Sequence, residues 1–392
     1  MKQSISILGS TGSVGTSVLN IIDKKKKNFS LKLLSTNKNY SLIYKQLIKY
    51  KPKIVVIIDQ NTFRKIKQKF KYKNIKILNN FNSINFKNKS DITISAISGI
   101  AGLLPTIKMI KFSKKILIAN KESIICGWGL LKNHALKNNT KIVPIDSEHF
   151  SILKLLENHK INEIKKIYIT ASGGPFLNYK IHQFKKIKPK DALKHPKWKM
   201  GKKITIDSST LMNKILELIE AQKLFNIPNS KLDILIHPNS LVHAIVELKN
   251  GLIKFIYHET SMIIPLANAI FDGNLNIEDF YKTKIKNKKK IIENLTFQKV
   301  NQKLFPIIKL KDRINEHPST SIIINAVNEV LVDQFLQKKL PFLSISKMIM
   351  SIMNDRNYTK YAIRRPKNIE QINEIDYWAR NKTLNKIKIT HV

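Results

Sequence analysis

The chain has 392 residues, 43% of them hydrophobic, and a formal net charge of +43 at pH 7. That length exceeds one ordinary core and implies two or three domains, while no stretch approaches the roughly 20 apolar residues of a membrane helix, so no membrane partner is expected. A single cysteine, Cys126, excludes an internal disulfide and suits a reducing compartment, the cytoplasm by default, and no leader-like segment is expected ahead of the first strand.

In chain order, residues 4–9 read as a buried strand, followed by a Gly/Ser/Thr turn and a helix over 14–22. Further strands are expected at 31–34, 53–58, 92–97, 115–119 and 142–145, with helical or mixed stretches between them. Short strands alternating with helices indicate an α/β fold with a Rossmann-like, doubly wound parallel sheet, placed at 1–136. A central α+β domain at 137–272 carries expected strands at 164–170, 202–206, 232–237, 241–248 and 251–257, with one helix over 209–225. Residues 273–298, which include the lysine-dense run 282–290, read as a linker. From 299 to 392 the pattern turns helical, as at 321–336 and 345–353, and implies a small all-α domain.

The charge excess is nearly all Lys, with few Arg, and is spread over the whole chain. Nucleic-acid readers usually grip phosphates and base edges through Arg concentrated on one face. The surplus therefore reads as a solvated lysine surface, and no nucleic-acid partner is expected. A positive field of this size still attracts anionic, phosphorylated ligands.

Gly9, Ser10, Thr11, Gly12, Ser13, Val14 and Gly15 stand at the first strand–helix junction. Glycines there let backbone approach a pyrophosphate while the helix N-terminus offers oriented N–H donors; the plainer alternative is a tight turn. After the second strand come Ser35, Thr36, Asn37, Lys38 and Asn39, with no carboxylate. An NAD site usually places an acid there for the ribose hydroxyl. Its absence, with a cation present, favours a 2′-phosphate and NADPH, unless the segment is only a polar turn.

Asn120, Lys121, Glu122 and Ser123 follow the strand 115–119, at the end where open α/β sheets bind ligands. Asp146, Ser147, Glu148 and His149 leave the next strand, and Asn213, Lys214 and Glu217 share one helical face. Asp146, Glu148 and Glu217 would make an all-oxygen site suited to Mg²⁺ or Mn²⁺ rather than zinc. Ordinary capping and an exposed helix face are the rival explanation. Ser172 and the glycines after it could present a hydroxyl and N–H groups to phosphate. A loop holding His195, Trp198 and Met200 makes sense as a lid, although His195 could equally be packed under the loop. His237 and His243, lying between two strands, are expected to be structural.

Taken together and in this order, these segments resemble the 1-deoxy-D-xylulose 5-phosphate reductoisomerase family. Gly102 to Thr106 and Asn325 to Glu329 extend the match through nearly the whole chain. The resemblance implies a homodimeric enzyme that uses NADPH and a divalent metal to rearrange and reduce a sugar phosphate. Carried over by position, it implies that Thr11, Gly12, Ser13 and Val14 contact the NADPH phosphates. Asn37, Lys38 and Asn39 would surround the 2′-phosphate, and Asn120, Glu122 and Gly201 would complete the cofactor site. The metal would be held by Asp146, Glu148 and Glu217. The substrate phosphate and hydroxyls would fall to Ser172, His195, Ser208, Asn213 and Lys214, with Lys121 and Ser147 near the reacting carbons. Asn37, Ile215, Thr260, Ile263 and the Glu316, His317, Pro318 run depart from the family pattern without removing an implied ligand.

Overall fold

The computed structural model describes residues 2–71, 74–198, 200–281 and 294–390, so the run 282–290 lies outside it. The chain divides into two compact units, the first comprising Met1–Ser123, Gly129–Phe150 and Ser261–Ile292, the second Ile124–Trp128, Ser151–Thr260 and Glu293–Val392.

In the first unit seven strands form one sheet in the order β4-β3-β2-β1-β5-β6-β7. They are β1 (Gln3–Leu8), β2 (Phe29–Thr36), β3 (Ile54–Ile57), β4 (Lys76–Leu78), β5 (Ser90–Ser95), β6 (Ser113–Ile118) and β7 (Lys141–Pro144). All neighbours run parallel, as Val/Ile/Leu-rich strands buried on both faces require. The helices are α1 (Ser13–Lys24), α2 (Tyr40–Tyr50), α3 (Gln60–Lys69), α4 (Leu103–Ile110) and α5 (Lys121–Lys137), the last broken at Gly127. α6 (Ser147–Leu155) follows β7. Leu8, Leu33, Val56 and Met109 form part of the core. The strand order reverses between β1 and β5, where Ala96 N–H donates to the Leu8 carbonyl at 3.0 Å. This is the doubly wound sheet expected from the alternating pattern. The edge strand β4 is absent from the sequence reading, because three residues carry too little periodicity to read.

The second unit holds a mixed sheet in the order β11-β10-β8-β9-β12. Its strands are β8 (Ile164–Ala171), β9 (Leu232–Ile236), β10 (Val242–Leu248), β11 (Ile253–Tyr257) and the two-residue β12 (Gln298–Lys299). β8 and β9 pair parallel and the remaining pairs antiparallel. The short helix α7 (Pro189–Ala192), then α8 (Lys202–Thr210) and α9 (Met212–Phe225), lie between β8 and β9, while α10 (Ile263–Phe271) returns to the first unit. The C-terminal helices are α11 (Thr320–Leu336), α12 (Phe342–Met353), α13 (Tyr358–Ala362) and α14 (Ile369–Thr390). Phe176 packs edge to face against Phe184 and Phe342, Phe335 does the same against Phe342, and Phe184 lies tilted against Phe342 within this unit.

Two local expectations are corrected. Residues 202–206 are helical, although their polar–apolar alternation suggested a strand. Gly201 opens α8 in extended conformation, and Thr205 closes the first turn with its hydroxyl on the Gly201 carbonyl at 2.9 Å. The helix expected over 209–225 is split at Leu211, whose backbone sits at φ +63° and ψ +10° with the side chain buried. Burial of that leucine outweighs the left-handed backbone cost, and the break turns α9 into a new direction just before Asn213.

Candidate active site

The glycine-rich turn of the first unit is built for close approach of backbone. A Cβ on Gly15 would meet the Gly9 carbonyl oxygen at 2.3 Å, and one on Gly9, at φ +82°, would meet the Ala96 oxygen at 2.7 Å. Gly12 is the N-cap of α1 with no side-chain cap, and the first turn carries no acid. The N–H groups of that turn are those a helix leaves unsatisfied internally, an arrangement whose polarity suits an anion. Thr11 Oγ1 shares a 2.8 Å hydrogen bond with Thr36, and Ser13 and Val14 open the helix. At the tip of β2, the Asn37 and Lys38 carbonyls accept from Asp59 N–H and Tyr40 N–H, and Asn39 Oδ1 accepts from Leu42 N–H as the N-cap of α2. Asn39 is thus partly committed to local structure.

Asn120 is the hub at the end of β6. Its Oδ1 caps α5 by accepting from Ser123 N–H at 2.7 Å, and its amide donates to the Ile97 and Gly99 carbonyls at 2.5 and 2.9 Å. It also reaches Glu122 Oε2 at 3.1 Å. At the residue after Asn120, Lys121 Nζ lies 3.2 Å from Asp146 Oδ2, both largely withdrawn from solvent. Burial pushes the Asp146 carboxyl up, but Lys121, and then His149 and Glu148, hold it well below the usual carboxylate range. Ser147 Oγ donates to Glu148 Oε2 at 2.5 Å, and Glu148 N–H to Asp146 Oδ1 at 3.3 Å. Asp146, Glu148 and Lys121 thus leave neighbouring strand ends together, with the Asp146 carboxyl held ionised.

In the second unit a hydroxyl–imidazole–hydroxyl triplet forms. His195 Nε2 lies 3.1 Å from Ser172 Oγ and 3.0 Å from Ser208 Oγ. Its Nδ1 accepts from the backbone N–H groups of Lys197 and Trp198 at 3.2 and 2.9 Å. Two donors aimed at Nδ1 leave no room for a proton there, so the neutral ring carries its hydrogen on Nε2. Burial, with the Lys214 ammonium second, pushes the imidazole down to about 4. Gly173 and Gly174, both at positive φ, bend the Ser172 turn, and a Cβ on Gly174 would meet the Ser208 carbonyl at 3.0 Å.

On α9, Glu217 accepts from the Asn213 amide through Oε1 and from Lys214 Nζ at 2.7 Å through Oε2. The shared face expected from their spacing is real. Trp198 stands edge-on to His243, ring centroids 5.9 Å apart, and His243 stacks on His258 at 3.9 Å. Met200 is half-buried, and Gly201 caps α8 in this unit, apart in sequence from the other implied cofactor residues. His237 is fully buried, its Nδ1–H donating to the Thr296 carbonyl at 2.9 Å.

One supporting residue escaped sequence reasoning. Gln46, buried on α2, accepts from Ser10 Oγ at 2.7 Å and donates to the Ser10 carbonyl at 2.9 Å, fixing the glycine turn from behind. Its only signal was a polar residue on the apolar stripe of α2.

Comparison with known proteins identifies the family. Family profiles match residues 5–128 (1-deoxy-D-xylulose 5-phosphate reductoisomerase), 142–225 (1-deoxy-D-xylulose 5-phosphate reductoisomerase C-terminal domain) and 259–382 (DXP reductoisomerase C-terminal domain). The chain is 47% identical to a curated 1-deoxy-D-xylulose 5-phosphate reductoisomerase of Pelagibacter ubique (strain HTCC1062), covering 95% of this chain and 96% of the relative. It is 40% identical to that of Wolbachia sp. subsp. Drosophila simulans (strain wRi), over 89% of each. A crystal structure of DOX-P reductoisomerase in complex with NADPH, fosmidomycin and magnesium superposes with a TM-score of 0.89 at 30% identity, covering 99% of both chains. The Zymomonas mobilis enzyme in complex with NADPH gives 0.84 at 28% identity, again over 99% of both. With its sheet order, its glycine turn and its clustered carboxylates all in place, the chain belongs to the 1-deoxy-D-xylulose 5-phosphate reductoisomerase family.

Proposed function

We propose that this chain catalyses the NADPH-dependent rearrangement and reduction of 1-deoxy-D-xylulose 5-phosphate to 2-C-methyl-D-erythritol 4-phosphate, in isoprenoid precursor synthesis. The observation that carries the reading is 47% identity to a curated enzyme of that name across 95% of the chain. The direct test follows NADPH absorbance with the substrate, with and without Mg²⁺ or Mn²⁺. Oxidation that is absent, or that survives complete chelation, would overturn the assignment.

The residues fit both groups that the reaction needs. Gly12 leaves the α1 terminus uncapped and open, as a pyrophosphate site requires, with Thr11, Ser13 and Val14 beside it. Lys38, with Asn37 and Asn39, serves the adenosine 2′-phosphate, while Asn120, Glu122 and Gly201 complete the cofactor site. Asp146, Glu148 and Glu217 offer only oxygen, the donor chemistry of Mg²⁺ or Mn²⁺. When bound, the cation supplies Lewis-acid polarisation of a carbonyl and NADPH supplies the hydride.

The chain's own groups do the rest. His195 presents a fixed Nε2–H between the Ser172 and Ser208 hydroxyls, three donors suited to a phosphate. Asn213 and Lys214 take the substrate hydroxyls, held in place by their bonds to Glu217. Lys121 and Ser147 stand at the reacting carbons. Trp198 and Met200 act as a lid that excludes water, the indole covering about 1–3 kcal/mol worth of apolar surface on closure.

We also propose a homodimer. β11 is an edge strand that exposes Ile253 (62%), Phe255 (46%) and Tyr257 (38%), with Leu252 (60%) exposed just before it. Unpaired edges bearing apolar side chains invite a two-fold partner strand, and Phe255→Lys should shift the solution mass toward the monomer. The cytoplasm remains the proposed compartment, on the single buried thiol of Cys126. Among the described residues no helix is long and apolar enough to cross a membrane.

A further inference from the structure

Asn325 to Glu329 on α11 belong to none of the roles above, yet Asn328 is fully buried and reaches α8. Its Nδ2 donates to Asp207 Oδ1 at 2.8 Å, while Lys203 Nζ pairs with Asp207 Oδ2 at 2.9 Å. Asp207 is 1% exposed and Asn328 0%.

Two features say that this tie is not there for local stability. Asp207 lies in the last turn of α8, where a carboxylate opposes the helix dipole and a cation would be favoured. Asn328 is fully withdrawn from solvent, so the fold accepts the cost of burying an amide that aims its Nδ2 at Asp207. A leucine there would avoid that cost. What the tie does fix is the backbone that carries Ser208. On the opposite side, a Cβ at position 174 would come to 3.0 Å from the Ser208 carbonyl oxygen, a tight contact that glycine relieves, and the Ser208 hydroxyl meets His195.

We infer that Asp207 and Asn328 are positioning residues: the buried carboxylate–amide pair between α8 and α11 sets the Ser208 hydroxyl against His195 and Ser172, and so shapes the seat of the substrate phosphate. This rests on the phosphate reading given above. The pair touches no substrate itself and acts only through Ser208.

The test is steady-state kinetics of the full enzyme with Mg²⁺, varying 1-deoxy-D-xylulose 5-phosphate and NADPH separately. Asn328→Ala should raise the substrate KM roughly tenfold or more, the scale of losing a buried bond to a charged group, with the NADPH KM within about twofold. Asn328→Asp keeps the shape and so guards against a simple folding failure. It sets a second carboxylate against Asp207 that must be protonated to donate. Its substrate KM should therefore fall towards wild type between about pH 8 and about pH 6, relative to wild type at each pH, while that of Asn328→Ala should not. Ser208→Ala separates the two ideas. If it leaves the substrate KM unchanged, the phosphate seat is misassigned. If it raises the KM while both Asn328 variants match wild type, the positioning role alone is overturned. An equal loss for NADPH and substrate, with no pH recovery in Asn328→Asp, also overturns it.

Discussion

His195 makes two separable sets of contacts, and two amide substitutions divide them. The side-chain oxygen of asparagine can stand where Nδ1 does, whereas the longer glutamine carries its amide nitrogen to the place of Nε2. His195→Asn should keep an acceptor for the N–H groups of Lys197 and Trp198, now 3.2 and 2.9 Å from Nδ1, and lose the N–H that lies between Ser172 and Ser208. Losing one donor to an anion is worth about 1.5–3 kcal/mol, so substrate KM should rise about 10- to 100-fold with NADPH KM unchanged. His195→Gln should keep that donor and free the loop instead. Two neutral bonds in a partly exposed loop contribute about 1–2 kcal/mol together, expected mainly as lower kcat and a more mobile Trp198. Kinetics with each substrate varied, alongside tryptophan fluorescence quenching, reads both. The ring also carries a pH signature. Its folded value of about 4 lies below the usual 6.5, so its stabilising neutral form is fully present above 6.5 and is lost as pH falls towards 4. Wild type should lose about 2–3 kcal/mol relative to His195→Asn across that window. Wild-type substrate KM in the asparagine variant would show that the Nε2 edge faces nothing of consequence.

Four further outcomes are expected. Gly15→Ala drives a methyl to 2.3 Å from the Gly9 oxygen, so NADPH binding should be lost or the variant unfolded; normal NADPH titration would refute the packing argument. Glu217→Gln should keep the fold, checked by circular dichroism, but need far more metal for turnover, and normal activity at low Mg²⁺ would remove Glu217 from the site. Lys38→Ala should cut the preference for NADPH over NADH by roughly tenfold, the scale of one phosphate contact; an unchanged ratio would place the 2′-phosphate elsewhere. Burial lowers the Lys223 ammonium to about 8 from 10.5, so the unfolded chain binds more protons between those values and stability should rise with pH across them. Denaturation across that window should show the rise, up to about 3 kcal/mol, in wild type and not in Lys223→Met.

Much of this protein could be read from one sequence, because its strongest signals are local. The junction from Gly9 to Gly15, the missing acid after β2 and the alternation of short apolar strands with helices each specify structure within a few residues of themselves. The spacing of Asn213, Lys214 and Glu217 was equally legible, since a helix repeats every turn whatever surrounds it. Signals that compete locally were misread. Residues 202–206 alternate as a strand should, but the Gly201 cap and the burial of Leu211 decide for two helices. β4 exists only because β3 offers it a partner.

The site's finer chemistry is beyond any local reading. Which nitrogen of His195 carries its proton depends on where the N–H groups of Lys197 and Trp198 come to rest. The Asp146 carboxyl owes its ionisation to an ammonium 25 residues earlier, whose reach is set by the adjacency of β6 and β7. Asp207 and Asn328, 121 residues apart, meet only after α11 has packed on α8. Sequence determines the inventory of groups and their short-range geometry. Folding decides which of them lose water together, and that shared desolvation sets the strength of each charge and hydrogen bond.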